Sequence, residues 1–164
     1  MSLPAERPVP GPLSGLGLSI VAAVVAVDQA SKHMAEAMLE IGRSIDVLPI
    51  LALYRVHNTG VAFSMGDGLG SLMLVAGTAL ITLFVLYLWQ TAKEGGRLVA
   101  TGFALIAGGA IGNLIDRVLF GHVIDFLYLH IGERGLFVFN LADVALTIGP
   151  VLLGWFYLFG GRKG

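Results

Sequence analysis

Two aspartates, Asp125 and Asp143, lie beside long apolar segments, and neither has a basic residue next to it in the sequence. If both face one cavity, their mutual repulsion would keep one carboxyl protonated while the other is ionised. Such a pair offers a general base that activates water and a general acid that protonates a leaving amine. The chemistry that such a pair would support is hydrolysis that releases an amine, without a metal, a cofactor or a nucleophilic serine.

Other polar residues stand where apolar segments begin or end, and helical spacing places several of them on common faces. A charged side chain near the centre of a membrane costs roughly 2.5–3.5 kcal/mol on insertion scales, so such groups are usually functional or paired. Asp28 and Lys32, at i and i+4, are better explained as an ion pair at a helix end than as catalytic groups. Asn140 has the position of a helix cap. The candidates are Asp28, Lys32, Asn58, Asn113, Asp116, Arg117 and Asn140.

The composition indicates that a lipid bilayer surrounds much of the chain. Of its 164 residues 56% are hydrophobic and only 13% are charged, whereas soluble domains average about 25% charged residues. Four stretches lack Asp, Glu, Lys and Arg for long enough to approach the roughly 17–25 residues of a spanning helix. They are Leu13–Val27, Gly68–Ala92, Leu98–Ile115 and Val144–Gly161. We therefore predict an all-α integral membrane protein with four transmembrane helices.

The organisation that follows is a disordered cytoplasmic tail at residues 1–12 and a single membrane domain at residues 13–164. The first apolar stretch could also be the core of a cleaved signal peptide. The region before it argues against a signal peptide, because its only basic residue, Arg7, is balanced by Glu6, and because it contains four prolines.

Two longer connections join the spans on the side opposite the termini. Residues 45–56 alternate in part and are rich in β-formers, which predicts a small extracytoplasmic strand unit. Residues 119–139 are apolar but interrupted by charged side chains, which is typical of a segment at the membrane interface. Because helix direction alternates, the polar residues at the span ends should form one cluster on this side.

Charge counting orients the chain weakly and excludes some partners. Five basic residues accompany the termini and the short loop at 93–97, which favours cytoplasmic termini. A net charge of −1 gives no electrostatic basis for nucleic-acid binding. The four histidines lack helical metal-ligand spacing and are better explained as interface residues.

The residues alone leave three functions open. A carboxylate pair fits an intramembrane hydrolase, and buried carboxylates equally fit a small transporter or proton relay. Transporters usually carry inverted repeats or broken helices, which this sequence lacks. The third possibility is a non-enzymatic scaffold whose polar cluster only holds helices together.

Five motifs in a fixed order resemble those of the lipoprotein signal peptidases, also called signal peptidase II. They extend over about residues 16–160, and the agreement of all five in register is specific. Two departures are the proline-rich leader and Val61, where the family often has alanine. The motifs are DQASK at 28–32, NTGVAFS at 58–64, GGAIGNLIDR at 108–117, GHVIDF at 121–126 and FNLAD at 139–143.

The resemblance implies an aspartic endopeptidase of the bacterial inner membrane, with its active site near the extracytoplasmic face. It would remove the signal peptide of prolipoproteins just before a cysteine that carries diacylglycerol. By motif position, Asp125 and Asp143 match the catalytic aspartates, and Asp28, Lys32 and Asp116 match supporting positions. The residues that match substrate-binding or aspartate-positioning roles are Asn58, Asn113, Arg117 and Asn140. The resemblance implies no cofactor, and it makes cyclic peptides such as globomycin candidate inhibitors.

Overall fold

The computed structural model describes residues 8–60 and 69–160 of the chain. In these ranges four helices are long and apolar enough to cross a membrane, which confirms the four predicted spans. Residues 61–64 of the second motif, Val61 among them, lie outside the described residues, as do residues 1–7 and the basic pair Arg162 and Lys163. The elements in chain order are α1 Gly15–Met38, β1 Ser44–Leu48, β2 Leu51–Asn58, α2 Leu69–Thr91, α3 Gly96–Phe120, β3 Val123–Ile131, β4 Arg134–Phe139 and α4 Leu141–Phe159.

Helix α3 is the centre of the bundle and packs against α1, α2 and α4. It is mostly buried, whereas the other three helices expose most of their side chains, as expected where helices face lipid. Glycines allow the close approach: a Cβ on Gly109 would lie 2.5 Å from the carbonyl oxygen of Ala142, and one on Gly149 would lie 2.7 Å from that of Gly102. Small residues of this kind are the usual contacts between membrane helices.

A hydrophobic core lies between α2 and α3 at the end of the bundle nearest the amino terminus. The indole of Trp89 stacks on Phe103 at a centroid distance of 6.3 Å. Its Nε1 donates to the carbonyl oxygen of Pro10 at 2.8 Å. Residues 8–12, which we predicted as part of a disordered tail, therefore contact α2 at this point.

The four strands form one antiparallel sheet in the order β1-β2-β3-β4. The strand unit predicted at residues 45–56 is present as β1 and β2. The segment 119–139, predicted as an interfacial stretch, instead continues α3 to Phe120 and then forms the hairpin of β3 and β4. Asn58 is the last residue of β2 and pairs with Val123 of β3.

The sheet is attached to one end of the bundle by its connections. β1 and β2 follow the last residue of α1, while β3 and β4 join the end of α3 to the start of α4. Strand β3 also packs against α1 and α3. The sheet thus lies over the helix ends that carry the polar residues, and it brings Asp125 to them.

Candidate active site

Asp125 is the third residue of β3 and is almost entirely buried, with 2% of its surface exposed. Each of its carboxylate oxygens accepts one hydrogen bond from an asparagine. Asn140 Nδ2 donates to Oδ1 at 2.6 Å, and Asn58 Nδ2 donates to Oδ2 at 2.9 Å. Three elements, β2, β3 and the start of α4, therefore position this side chain.

Asp143 lies in the first turn of α4 and forms a capping box with Asn140. The Asn140 N–H donates to Asp143 Oδ2 at 3.1 Å, and the Asp143 N–H donates back to Asn140 Oδ1 at 3.0 Å. Asn113 of α3 donates its Nδ2 to the second oxygen, Asp143 Oδ1, at 2.8 Å. The positive end of the α4 dipole also faces this partly exposed carboxylate, and it accommodates a negative charge.

The orientations of the three asparagine amides are fixed by groups that can only donate. The ammonium of Lys32 lies 2.9 Å from Asn113 Oδ1 and has no lone pair, so Nδ2 of Asn113 must face Asp143. Backbone N–H groups play the same part for the other two asparagines: Asp143 N donates to Asn140 Oδ1, and Gly60 N donates to Asn58 Oδ1 at 2.9 Å. All three amides consequently direct donors at carboxylates.

Asn140 connects the two aspartates directly. Its side chain donates to Asp125, and its backbone N–H donates to Asp143. The cap interpretation of Asn140 is confirmed by the capping box. The same residue, however, also joins Asp125 and Asp143, which we call the aspartate pair, in one hydrogen-bonded unit.

Behind the aspartate pair lies a buried ion triad made of Asp28, Lys32 and Asp116. Lys32 Nζ lies 2.8 Å from Asp28 Oδ2 and 2.9 Å from Asp116 Oδ2, and the three residues are at most 1% exposed. The predicted pairing of Asp28 with Lys32 is confirmed. The third member comes from another helix: Asp116 of α3 pairs with Lys32 of α1.

The ion triad holds the backbone on which the aspartate pair is mounted. Asp28 Oδ1 accepts from the N–H of Ala142 at 2.9 Å, and Asp116 Oδ2 accepts from the N–H of Ile124 at 3.1 Å. Each of these N–H groups belongs to the residue immediately before one of the paired aspartates. The ion triad therefore fixes where α4 begins and where β3 meets α3.

Gln29 also binds the ion triad, although no sequence pattern assigned it a role. Its Nε2 donates to Asp116 Oδ1 at 2.8 Å and to the Gly112 carbonyl at 3.2 Å, and it lies 3.3 Å from Asp28 Oδ2. The available signal was a polar side chain within the last turns of an otherwise apolar span, where a polar group needs a partner. A Cβ on Gly112 would lie 2.6 Å from Asp28 Oδ2, so glycine is required for this contact.

The environment of Asp125 favours its protonated form. Burial is the main cause and raises the pKa of Asp125 to about 6, and the negative charge of Asp143 acts in the same direction. The hydrogen bonds from Asn58 and Asn140 oppose this rise because they stabilise the ionised carboxylate. Near neutral pH the pair therefore holds one readily protonated carboxyl next to a second carboxylate, which is the arrangement required for general acid and base catalysis.

Arg117 follows Asn113 by one helical turn and is partly exposed. Its Nη1 donates to the backbone carbonyl of Asn113 at 3.3 Å. The contact keeps the guanidinium on the face of α3 that carries Asn113, and it leaves most of its five donors for other partners.

A cavity of about 490 Å³ opens beside Asp143. Apart from Asp143 and Thr147 its walls are apolar, and they come from β4 and from the first turns of α4. Within residues 8–60 and 69–160 no group of three or more His, Cys, Asp or Glu side chains could hold a metal ion. The lining residues are Phe137, Val138, Phe139, Asp143, Val144, Thr147 and Ile148.

The fold and the site together define a multi-pass membrane protein with a pair of aspartates, one buried on β3 and one in the first turn of α4 beside an open cavity. The chain belongs to the signal peptidase II family: the profile of the family described as signal peptidase (SPase) II matches residues 20–159. It is accordingly a bacterial membrane peptidase. This result decides among the three functions that the residues left open, in favour of the enzyme.

Similar proteins agree over most of the chain. A lipoprotein signal peptidase of Mesorhizobium japonicum is 44% identical over 144 residues, covering 88% of this chain and 86% of the relative. A lipoprotein signal peptidase of Brucella ovis is 46% identical over 144 residues, covering 84% and 90%. A solved bacterial membrane enzyme superposes with a TM-score of 0.80 at 28% identity, covering 98% of this chain and all of the other.

Proposed function

We propose that the aspartate pair is the catalytic centre at which this chain hydrolyses prolipoproteins. Membership in the signal peptidase II family gives the reaction, which is removal of the signal peptide from prolipoproteins. The observation that carries the assignment of the site is the double contact of Asn140, which bonds Asp125 through its side chain and Asp143 through its backbone.

The two aspartates take different parts in the reaction. Asp143 is the base: it accepts a proton from a water molecule, whose oxygen attacks the carbonyl carbon of the scissile peptide bond. Asp125 is the acid: its proton passes to the peptide nitrogen, so that the C–N bond breaks and the amine leaves. The burial that raises the pKa of Asp125 to about 6 supports this division of roles.

The surrounding polar residues hold the pair and the substrate in place. Asn58, Asn113 and Asn140 keep the four carboxylate oxygens oriented through donors of fixed direction. Arg117, with most of its donors unused by the contact to Asn113, binds a carbonyl oxygen of the substrate by a charge-assisted hydrogen bond.

The cavity beside Asp143 receives apolar groups of the substrate. The cleaved bond precedes a cysteine that carries diacylglycerol, and the acyl chains of this group stay in the membrane. A site at the helix ends meets that bond at the membrane boundary, where water is available. Cyclic-peptide inhibitors such as globomycin would compete for the same cavity.

The active site faces the extracytoplasmic side, and both termini are cytoplasmic. The basic residues of the termini and of the loop between α2 and α3 support this orientation. Residues 13–164 act as one membrane domain.

The assignment of the pair is tested with Asp125→Asn and Asp143→Asn, made separately and assayed on a diacylated prolipoprotein in proteoliposomes. Each substitution removes one proton-transfer group, so cleavage should fall by at least about 100-fold. Asp46→Asn is the matched control, because the Asp46 side chain is 78% exposed on the same sheet and should tolerate the change. Near-normal turnover in either folded variant would show that the pair is not the catalytic centre.

A further inference from the structure

A second cavity lies between α1 and the strands β2 and β3, and it shares no lining residue with the cavity beside Asp143. Its volume is about 290 Å³, close to the roughly 300 Å³ at which small-molecule pockets begin. Ser31 is its only polar lining residue, and its hydroxyl already donates to the Asp28 carbonyl at 2.7 Å. The inner surface is therefore apolar. The lining residues are Ser31, Met34, Ala35, Met38, Leu39, Leu53 and Phe126.

The rim of this cavity faces the membrane at the sheet end of α1. Met34 and Met38 are 62% and 73% exposed, although they lie on a helix that crosses the bilayer. An apolar cavity stays free of water. The apolar groups available beside this helix are the acyl chains of membrane lipids.

A cationic group lies at the last turn of the same helix. Arg55 of β2 donates its Nη1 to the Glu36 carbonyl at 2.7 Å, which places the guanidinium beside the α1 residues that line the cavity. Its Nε is enclosed and has no hydrogen-bond partner among the residues that the structure describes. No carboxylate in the described ranges lies within 4.0 Å of it to neutralise its charge.

We propose that this cavity and Arg55 form a binding site for one membrane phospholipid, separate from the catalytic centre. The part of an acyl chain nearest the headgroup fills the apolar cavity between α1 and the sheet. The phosphate of the headgroup pairs with the guanidinium of Arg55, since guanidinium groups bind phosphate oxygens in a bidentate manner. Met34 and Met38 adapt to the chain, because methionine side chains are flexible and polarisable.

Two lining residues of the proposed lipid site are sequence neighbours of the aspartate pair and of the ion triad. Phe126 follows Asp125 in β3, and Ser31 precedes Lys32 in α1. A lipid in the cavity would thus pack against both chain segments and steady them. Binding should raise the melting temperature as well as give a labelled product.

The test uses the full-length protein in detergent micelles with a photoactivatable phosphatidylglycerol that carries its diazirine on one acyl chain close to the headgroup. Cross-links should concentrate on the lining residues of α1 and β3, above the level on the lipid-facing residues Leu80 and Leu83 of α2. Arg55→Gln should reduce this labelling roughly tenfold, the loss expected for one charge-assisted hydrogen bond. Arg43→Gln is the control, because Arg43 pairs with Glu40 at the exposed surface.

A second variant and a second probe complete the design. Ala35→Phe fills the cavity from a side chain that is 5% exposed, and it should abolish the labelling while Arg55 is intact. A diacylglycerol probe, which lacks the phosphate, should label at the level of Arg55→Gln. Equal labelling of the parent and both variants, or labelling no higher than on α2, would overturn the proposal.

The labelling is independent of catalysis. It is measured without substrate and is repeated in Asp125→Asn, so its outcome does not depend on the assignment of the aspartate pair. Added phosphatidylglycerol should raise the melting temperature of the parent and of Arg43→Gln, and no rise in the parent would also overturn the proposal.

Discussion

The ion triad and the aspartate pair each contain two carboxylates, and Asn113 touches both groups, but their surroundings differ. In the triad, Lys32 lies within 2.9 Å of both carboxylates, and backbone N–H groups and Gln29 supply the remaining donors. In the pair, the direct partners are neutral amides. The triad thus contains a cation in direct contact with both carboxylates, whereas the pair has no cation among its direct hydrogen-bond partners in the part of the chain that the structure describes.

This difference distinguishes the structural role of the ion triad from the chemical role that we propose for the aspartate pair. A carboxylate in contact with a cation does not exchange protons easily, because protonation would break the ion pair. A carboxylate that is buried among neutral donors has a raised pKa and can gain or lose a proton near neutral pH. The protein uses the first arrangement to fix its backbone and the second to carry the reaction that we propose.

Of the variants that test the contrast between the ion triad and the aspartate pair, Lys32→Met should have the largest effect. Lys32→Met should destabilise the protein by roughly 3–5 kcal/mol, because two buried carboxylates would lose their shared cation. Thermal melting in detergent should show the loss together with a loss of prolipoprotein cleavage. Lys93→Met is the control at the opposite end of the bundle, where the side chain is exposed. A Lys32→Met protein that melts like its parent but does not cleave would assign Lys32 to the chemistry instead.

Asp125→Asn should change stability in a way that depends on pH. Because the pKa of Asp125 is about 6 in the folded protein and about 4 in an unfolded chain, the folded state binds the proton more tightly. The stabilisation from that proton is complete below pH 4 and is lost as the pH rises through 6. Above pH 6 the buried charge costs up to roughly 3 kcal/mol, from about two pKa units.

The variant lacks this charge, but its amide nitrogen faces a donor of Asn58 or Asn140, which lowers stability at every pH. Its melting temperature relative to the parent should therefore be higher at pH 8 than at pH 4. Glu133→Gln, at an exposed carboxylate in the turn between β3 and β4, is the control and should show no such dependence on pH. A difference between variant and parent that is the same at pH 8 and at pH 4 would mean that the ionised carboxylate is well compensated, and the contrast with the triad would not hold.

The sequence predicted the spans and the polar cluster because both depend on composition and on helix direction. Asp28 and Lys32 could be paired because helical spacing sets their distance. The partner of Asp116 could not be predicted, since it comes from another helix. Adjacent residues on a helix point in different directions, which is why Asp116 and Arg117 do not pair.

The hairpin of β3 and β4 was missed for a different reason. Residues 123–126 are all buried, so β3 lacks the alternation of apolar and polar residues that indicates a strand. Without the hairpin, the partners of Asp125 could not be predicted from geometry. The resemblance supplied Asn58 and Asn140 as motif positions, but only the fold shows that both donate to the same carboxylate.

Asn58→Ala should have the smallest effect of the variants that test the contrast between the ion triad and the aspartate pair. Its hydrogen bond stabilises the ionised form of Asp125, so its loss in Asn58→Ala should raise the pKa of Asp125 further. If Asp125 acts as the acid, kcat/KM falls as the pH rises through that pKa. The fall should begin at a pH higher by up to about one unit, since one hydrogen bond contributes roughly 0.5–1.5 kcal/mol.

The measurement is the pH profile of kcat/KM for prolipoprotein cleavage in proteoliposomes, with Thr59→Ala as the control at the neighbouring exposed residue. A merely structural role of Asn58 would lower activity equally at every pH. Only a change in the pH of the falling limb would show that Asn58 acts on the pKa of Asp125. An unmoved limb would mean that another group provides the proton. A rising limb on the acid side that moves to higher pH, with the falling limb unmoved, would mean that Asp125 acts as the base, and the roles of Asp125 and Asp143 would then have to be exchanged.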